Sequence, residues 1–327
     1  MKVLLGFRSS EKGGKSIEGL FERFLVEQES DFQLVRWEYD RTKSLFSNML
    51  SLRRQQVDIW HITGDIYYMA LGLVGKKVLL TIHDFGAYKG LNYWKRWIFK
   101  RVWILWPLRI ANTVTVVSAY TRDEILKLAG SIFSDKIKVV YNAFNPLYSG
   151  PPGPFNSNRP RIMQVGTAPH KNLETLICAV SGMDCVLSIV GALTEAQLYS
   201  LRDADIAYES YQDLTEEGMR EQYALADMVV FPSLHEGFGL PVIEAQAMGR
   251  PLITTRLTSL PEVAGSGAHY VDDPLDAEEL RLAINMIIEE EGYRNNLINE
   301  GYKNVSRFTW PIMRESYYHV YKNILST

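Results

Sequence analysis

Two glutamates, Glu236 and Glu244, lie on either side of a glycine-containing turn. The apolar run Met228–Phe231 before the turn predicts a short buried strand, and Gly249 is the type of residue that ends a helix. Pro241 favours the first turn of that helix, because its missing N–H would be unpaired there in any case. The N-terminus of such a helix binds anions, and phosphate above all. The sequence therefore predicts an anion site with a carboxylate on each side.

A purely structural explanation of these residues competes with a functional one. Glu244 is placed in the first turn of this helix, where any glutamate is mildly favourable against the helix dipole, and Gly237 and Gly239 could simply shape the loop. The run Glu-Gly-Phe-Gly-Leu-Pro-Val-Ile-Glu nevertheless resembles, at every letter, the signature of glycosyltransferase family 4. The resemblance implies a retaining, nucleotide-sugar-dependent enzyme of the GT-B fold. We therefore favour the functional explanation.

The resemblance also implies roles for individual residues. Glu244 is expected to hold the ribose hydroxyls of the donor, and Glu236 is expected to be a catalytic residue that faces the sugar hydroxyls. The remaining donor contacts in this motif are assigned to Gly237, Phe238, Gly239 and Leu240.

A second motif, from Gln164 to Glu174, resembles the pyrophosphate loop of the same family. Lys171 is expected to reach the β-phosphate as a point charge, with Gly166 and Thr167 lining the loop. The family usually adds an arginine nearby, whereas this chain has Thr167 and His170 at the corresponding places. Binding of the diphosphate is then expected to rest more on Lys171 and the helix N-terminus. Without the neighbouring match, an exposed lysine in a first helical turn would be the simpler interpretation.

His83 ends an apolar run in the first half of the chain, in the sequence Thr-Ile-His-Asp. A single histidine is more often structural than catalytic, but this segment resembles the strand-end His–Asp pair of the family. We therefore assign His83 to the donor sugar or the transition state.

The loop that contains Gly13 and Gly14 permits two interpretations. In a GT-B first domain it would close over phosphates or the acceptor, and we assign both glycines to donor binding. Together with Lys15 and Ser16 it also looks like the end of an ATP-binding P-loop, although that motif needs glycine where Ser9 stands.

These residues require an α/β scaffold, since short apolar runs alternate with helical patterns through both halves of the chain. The most Pro- and Gly-rich stretch, 145–154, indicates a boundary between two domains. We expect a Rossmann-like acceptor domain over 1–150 and a Rossmann-like donor domain over 151–308, facing a cleft. By resemblance to the family, a helix over 309–327 returns to the first domain. The predicted strands are 3–7, 32–38, 59–63, 78–82, 113–117, 137–141, 162–165, 187–190, 228–231, 252–254 and 269–271.

Composition excludes several classes of function. The chain has 327 residues, 46% of them hydrophobic, and a formal net charge of −3, which argues against a general nucleic-acid binder. Its two cysteines have no partners at zinc spacing, so we expect a reduced, cytoplasmic protein. The donor motifs contain no Asp-x-Asp sequence, and we expect no metal cofactor. No signal-peptide pattern or membrane-spanning run is predicted, so any membrane contact is expected at the surface.

The segment from Phe85 to Arg122 has no acidic residue and carries four of the seven tryptophans of the chain. Cations mixed with interfacial aromatics indicate contact of 89–109 with the inner face of an anionic membrane, or with a lipid-linked acceptor. A partly buried helix with solvated cations explains the composition equally well. The basic residues are Lys89, Lys95, Arg96, Lys100, Arg101, Arg109 and Arg122.

Together these features predict a retaining transferase that moves a hexose, mannose or a related sugar, from a nucleotide-diphosphate sugar. The acceptor is expected to be a glycan or a lipid-linked saccharide, in the synthesis of surface polysaccharide or glycoconjugate. Two alternatives stay open: a P-loop nucleotide hydrolase that uses Lys15, and a non-catalytic GT-B subunit that binds a partner or lipid. The intact glutamate pair and Lys171 argue against the second.

Overall fold

The computed structural model describes residues 1–8, 15–26, 31–85 and 92–326, and the chain forms two compact units. Unit 1 comprises Met1–Ala143 together with Pro311–Thr327, and unit 2 comprises Phe144–Trp310. Each unit contains one parallel sheet of six strands with helices packed against it. The predicted α/β architecture is therefore confirmed.

The sheet of unit 1 has the strand order β2-β1-β3-β4-β5-β6. Its inner strands are buried on both faces, which is why they are almost continuously apolar in the sequence. The strand order reverses between β1 and β3, and ligands of open α/β sheets bind at such a reversal, beyond the carboxyl ends of the strands. The strands are β1 Lys2–Phe7, β2 Gln33–Glu38, β3 Ile59–Ile62, β4 Val78–Ile82, β5 Thr113–Val116 and β6 Ile137–Val139.

The helices of unit 1 cover both faces of its sheet. Right-handed crossovers place α1, which leads to β2, on one face and the helices of the later crossovers on the other. A 3₁₀ helix between β3 and β4 accordingly packs against both α2 and α4. The helices are α1 Lys15–Val26, α2 Leu45–Arg53, the 3₁₀ helix Tyr67–Leu73, α3 Tyr93–Phe99, a π-helical stretch Lys100–Leu105, α4 Trp106–Ile110, α5 Ala119–Ala129 and a second 3₁₀ helix Ser131–Lys136.

The last helix of the chain, which we number α13 (Trp310–Ser326), packs on the α1 face of unit 1 from Pro311 onward. The ring of Tyr317 lies 5.4 Å from that of Phe21 on α1. The Tyr321 hydroxyl lies 2.8 Å from Nδ1 of His61, a fully buried residue of β3. Aromatic packing and a buried hydrogen bond thus attach the C-terminal helix to the first sheet.

The sheet of unit 2 has the order β12-β11-β10-β7-β8-β9, the arrangement of dinucleotide-binding domains, and it reverses between β7 and β10. Its strands are β7 Arg161–Val165, β8 Val186–Val190, β9 Tyr208–Tyr211, β10 Met228–Phe231, β11 Leu252–Thr255 and β12 His269–Val271. Its helices are a 3₁₀ turn Pro169–Lys171, α6 Leu173–Val180, α7 Glu195–Asp203, α8 Glu216–Leu225, α9 Leu240–Ala247, α10 Leu260–Ala264, α11 Ala277–Glu289 and α12 Glu291–Val305.

The Pro- and Gly-rich stretch expected at the domain boundary belongs to unit 2, and the chain leaves unit 1 earlier, after Ala143. The Tyr302 hydroxyl donates to the carbonyl of Gly150 at 2.7 Å. A Cβ at Gly153 would lie 2.8 Å from the guanidinium nitrogens of Arg250, so glycine permits this close approach. Specific contacts therefore hold the stretch against unit 2.

Candidate active site

Lys171 and Glu236 meet at the point where the strand order of unit 2 reverses. Lys171 ends the 3₁₀ turn after β7, and Glu236 lies in the loop after β10. Lys171 Nζ is 2.5 Å from Glu236 Oε1, and only 18% and 12% of the two side chains are exposed. Parallel strands end at the same edge of a sheet, and this brings together two predicted site residues that are 65 positions apart.

Gly166 makes the position of Lys171 possible. Its φ of +92° is a conformation that glycine adopts readily, and a Cβ there would lie 2.9 Å from Lys171 Cγ. The stem of Lys171 thus crosses the glycine, and its Nζ lies 4.7 Å from the centre of the Phe231 ring. The cation is therefore held by a carboxylate and by an aromatic face, which contradicts the simpler interpretation of Lys171 as an exposed surface lysine.

Glu236 receives its contacts on one carboxylate oxygen. Besides Lys171, the hydroxyl of the fully buried Ser233 lies 2.6 Å from Oε1. The backbone N–H of Glu236 donates to Thr258 Oγ1 at 3.1 Å and fixes the loop. Within the described ranges, no hydrogen bond reaches Oε2. That oxygen is suited to accept hydroxyl groups from a ligand.

Glu244 is the fifth residue of α9 and therefore lies in the second helical turn, which corrects the first-turn placement considered above. The helix dipole acts within the first turn and does not explain this glutamate. The Tyr223 hydroxyl donates to Glu244 Oε2 at 2.8 Å. Burial raises the pKa of Glu244 to about 7, the Tyr223 hydrogen bond opposes that rise, and the negative charge of Glu216 adds to it.

The turn between the two glutamates is built on Gly239, which lies just ahead of α9. Its φ is +96°, in the left-handed region that glycine adopts readily. A Cβ at this position would lie 3.0 Å from Leu260 Cδ2. The Ser259 hydroxyl lies 3.0 Å from the carbonyl oxygen of Phe238 and 3.1 Å from that of Glu236. These contacts orient the turn, and Leu240 then begins the helix.

Thr167 and His170, which stand where the family usually has an arginine, differ in their surroundings. The Thr167 hydroxyl donates to the carbonyl of Ala192 at 2.5 Å, so this hydroxyl has a structural partner within unit 2. His170 is exposed, and its carbonyl accepts the N–H of Leu234 at 2.7 Å. Of these two residues, His170 is the more exposed, and Thr167 is partly buried.

His83 follows β4 in unit 1, and only 7% of the residue is exposed. Its Nε2 lies 2.7 Å from the carbonyl oxygen of Thr63. A carbonyl can only accept, so Nε2 carries the proton, and any action as a base falls to Nδ1. Gly13 and Gly14, the other predicted residues of this unit, lie outside the described residues.

The predicted membrane-facing segment lies on α3, the π-helical stretch and α4. The exposed fraction is 73% for Trp94 and 46% for Trp97, whereas Trp103 packs into the core. The Arg101 guanidinium lies 4.1 Å from the centre of the Trp97 ring. No helix in the described ranges is long and apolar enough to cross a membrane. Lys89 lies outside the described residues.

Comparison with known families agrees with this geometry. Residues 20–146 match the family model "Glycosyltransferase Family 4", and residues 151–304 match "Glycosyl transferases group 1". The chain belongs to the family 4-like glycosyltransferases of GT-B fold. This membership argues against the P-loop hydrolase suggested by the sequence from Gly13 to Ser16. A non-catalytic subunit of the same fold has to be distinguished by experiment.

Several individual proteins are similar to this chain. O-antigen chain mannosyltransferase B of Escherichia coli is 35% identical over 109 residues, which are 33% of this chain and 28% of that protein. O-antigen chain mannosyltransferase RfbU of Salmonella typhimurium is 27% identical over 75% of this chain and 74% of its own. Several further mannosyltransferases are matched over less than half of their length.

Among solved structures, HepE of Anabaena in complex with UDP and glucose superposes with a TM-score of 0.82. It is 16% identical and covers 99% of this chain and 100% of its own. At this identity the likeness concerns the fold. It extends over both units of the chain.

Proposed function

We propose that this protein transfers a hexose, mannose or a related sugar, from a nucleotide-diphosphate sugar to a glycan or lipid-linked saccharide, with retention at the anomeric carbon. The observation that carries the proposal is the Lys171–Glu236 pair at the strand reversal of unit 2. The two O-antigen mannosyltransferases support a mannosyl group and a role in surface polysaccharide synthesis. The UDP complex of HepE supports a nucleotide donor.

In this proposal three side chains bind three parts of the donor. Lys171 neutralises the diphosphate, Glu236 Oε2 accepts hydroxyls of the transferred sugar, and Glu244 Oε1 accepts hydroxyls of the ribose. Backbone N–H groups from Gly237 to Leu240 and the N-terminus of α9 add to the positive potential at the phosphates.

The reaction breaks the bond between the anomeric carbon and the β-phosphate oxygen and forms a bond from the same carbon to the acceptor oxygen. We propose that the acceptor attacks from the face on which the diphosphate leaves, so the configuration is retained. A phosphate oxygen takes the acceptor proton, and Lys171 stabilises the charge of the departing diphosphate. In the proposed complex the Lys171 cation is shared between the Glu236 carboxylate and the β-phosphate.

The first experiment is a thermal-shift screen against nucleoside diphosphates, followed by transfer from the matching nucleotide sugar with the product anomer assigned by NMR. We expect stabilisation by one base, and a product with the donor's anomeric configuration. An inverted product would contradict the mechanism. Binding without any transfer would favour the non-catalytic subunit. Transfer should persist in excess EDTA, because the proposed positive charge comes from the chain itself.

Two variants separate the roles of the glutamates. Glu236→Ala should abolish turnover while nucleoside diphosphate binding is kept or tightened, because Lys171 loses its competing anion. Glu244→Ala should weaken nucleotide binding itself. Equal loss of binding in the two variants would contradict this assignment.

We also propose that the helix Tyr93–Ile110 lies on an anionic membrane surface, on the inner face of the membrane. Exposed Trp94, Trp97 and Trp106 are suited to the interface, and the neighbouring cations complement anionic headgroups. Flotation with phosphatidylglycerol vesicles tests the idea, with phosphatidylcholine vesicles as the neutral control. Recovery of the wild type with anionic vesicles is expected; a wild type that stays at the bottom of the gradient would end the proposal.

Two charge-reversed proteins complete that test. In the first, Lys95, Arg96, Lys100 and Arg101 are replaced by Glu, and we expect flotation to be lost. The second carries the same number of reversals on exposed cations of unit 2 and should still float if the contact is local. The control positions are Arg159, Arg202, Arg220 and Lys303.

A further inference from the structure

Tyr223 is a fully buried residue of α8 whose hydroxyl donates to Glu244 Oε2. No hydrogen bond from the described part of the chain reaches the other oxygen, Oε1. That oxygen is also not fully buried, so a ligand can reach it. One side of the carboxylate is thus held from within the fold, and the other side remains for a ligand.

Ribose hydroxyls require an acceptor at this place. An ionised carboxylate can accept two hydroxyl donors, whereas a protonated carboxyl uses one oxygen as a donor. Burial raises the pKa of Glu244 to about 7, so the carboxylate is ionised only in part at neutral pH. The Tyr223 hydroxyl stabilises the ionised form, since a hydrogen bond to a charged group is stronger than one to a neutral group.

The neighbours of Glu244 determine how the ratio of its ionised to its protonated form responds to pH. Burial raises the pKa of Tyr223 well above its usual value, so its hydroxyl remains a donor throughout the neutral range. Glu216, at the start of α8, is the charged neighbour that disfavours the ionised form of Glu244. Tyr148 lies against Tyr223, with ring centres 5.9 Å apart, and burial and the charge of Glu244 raise its own pKa.

We propose that Tyr223 is a positioning residue whose hydroxyl orients the Glu244 carboxylate and keeps it ionised for the ribose diol of the donor. This inference rests on the proposed function, because it assumes that a nucleotide binds at Glu244. Its consequence is that nucleotide affinity depends on pH and that Tyr223 sets the range over which it changes.

The test is calorimetric titration of the nucleoside diphosphate selected by the thermal-shift screen, from pH 5.5 to 9, on wild type and Tyr223→Phe. We expect wild-type affinity to fall as the pH drops below about 7, in line with the pKa of Glu244. In Tyr223→Phe the midpoint should move up by about one pH unit, with about fivefold weaker binding at pH 7 and a smaller difference at pH 9. An affinity loss of the same size at every pH would indicate a merely structural role and overturn the proposal.

Three controls make the outcome specific. The 2′,3′-dideoxy analogue of the same nucleotide lacks the ribose hydroxyls and should bind both proteins equally, with the phosphate titration common to both. Tyr270→Phe removes a hydroxyl that donates to the carbonyl of Gly265, and it should leave the pH profile unchanged. Glu216→Gln should move the midpoint down, opposite to Tyr223→Phe.

The proposed function and the role of Tyr223 fail in different ways. If the wild type binds no nucleoside diphosphate, the proposed function is wrong. If the wild type binds one and Tyr223→Phe matches it in affinity and pH profile, only the role of Tyr223 is wrong.

Discussion

The two sheets have the same number of parallel strands, and a buried polar cluster on the strands of unit 1 contrasts with a charged pair beyond the strands of unit 2. In unit 1, buried polar groups lie on the strands: His61 Nε2 is 2.7 Å from Thr81 Oγ1, which is 2.7 Å from Thr115 Oγ1. In unit 2, Lys171 and Glu236 lie in loops beyond the strand ends. Side chains on strands are closed in by helices, whereas loops at the carboxyl end of a parallel sheet can meet a ligand. The comparison indicates that the first group serves the fold and the second serves binding.

The largest effect on turnover should come from removing the cation of Lys171 in unit 2. Lys171→Ala is expected to lower turnover by about 100- to 1000-fold, because a preorganised positive charge at the leaving diphosphate is lost. Steady-state kinetics with the identified donor measures it, and Lys303→Ala, on an exposed lysine of α12, should leave the rate unchanged. A loss of less than threefold in Lys171→Ala would remove the basis of the comparison.

The matching change in unit 1 should affect stability and leave binding intact. His61→Ala removes the buried partner of the Tyr321 hydroxyl and one of the partners of the Thr81 hydroxyl, and we expect the free energy of unfolding to fall by about 3 kcal/mol. Urea denaturation measures the loss, and nucleotide affinity at low temperature should match the wild type. The exposed His319→Ala on α13 should change stability by less than about 0.5 kcal/mol. A nucleotide-binding defect in His61→Ala with unchanged stability would reverse our assignment.

Acidification should change the stability that His61 contributes in unit 1 and the stability that Glu244 contributes in unit 2 in opposite directions. Burial, with the charge of His83 second, lowers the pKa of His61 to about 3 from 6.5. The folded state therefore disfavours the proton, and stability from this site is lost as the pH falls below about 6.5. The raised pKa of Glu244 means that the folded state takes up its proton more readily, so this site gains stability as the pH falls from about 7 to 4.5.

Urea denaturation between pH 7 and 4.5 separates these contributions. His61→Gln should flatten the loss of stability on acidification, and Glu244→Gln should steepen it, each by at most about 1.4 kcal/mol per pH unit. If both variants change the slope in the same direction, the contrast between the two units does not hold.

The smallest expected effect lies at the end of the C-terminal helix. Lys77 Nζ donates to the carbonyls of Ile324 and Leu325 at 2.9 and 3.0 Å, where a cation is favourable to the helix dipole. Lys77→Met should reduce the free energy of unfolding by about 0.5 to 1 kcal/mol and accelerate amide exchange in the last turn of α13. Unchanged exchange there would show that the tyrosines alone hold the helix.

Much of the fold follows from local patterns in the sequence, because buried parallel strands are continuous apolar runs. The strands predicted at 78–82, 228–231 and 269–271 coincide with β4, β10 and β12. Strand β9 was missed: its Glu209 and Ser210 are exposed and it pairs only with β8, so no apolar pattern marks it. The π-helical stretch also leaves no periodic signal of its own.

The candidate site was predictable in its parts but not in its contacts. The glutamate motif identified Glu236 and Glu244, yet their partners come from other segments. Tyr223 precedes Glu244 by 21 residues. Nothing in the sequence distinguishes it from the other side chains of an amphipathic helix. Such contacts depend on strand order, which a linear pattern does not contain.

The attachment of α13 to the first sheet also determines the order in which the protein is completed during synthesis. His61 and Tyr321 are 260 residues apart, and Thr81 and Tyr317 are 236 apart, although each pair lies within unit 1. Unit 2, which is contiguous in the chain, can close as soon as Trp310 has left the ribosome. Unit 1 is begun first and finished last, and until then its α1 face lacks the helix that covers it. A chain cut short before Tyr317 would leave that apolar face open to chaperones and to aggregation.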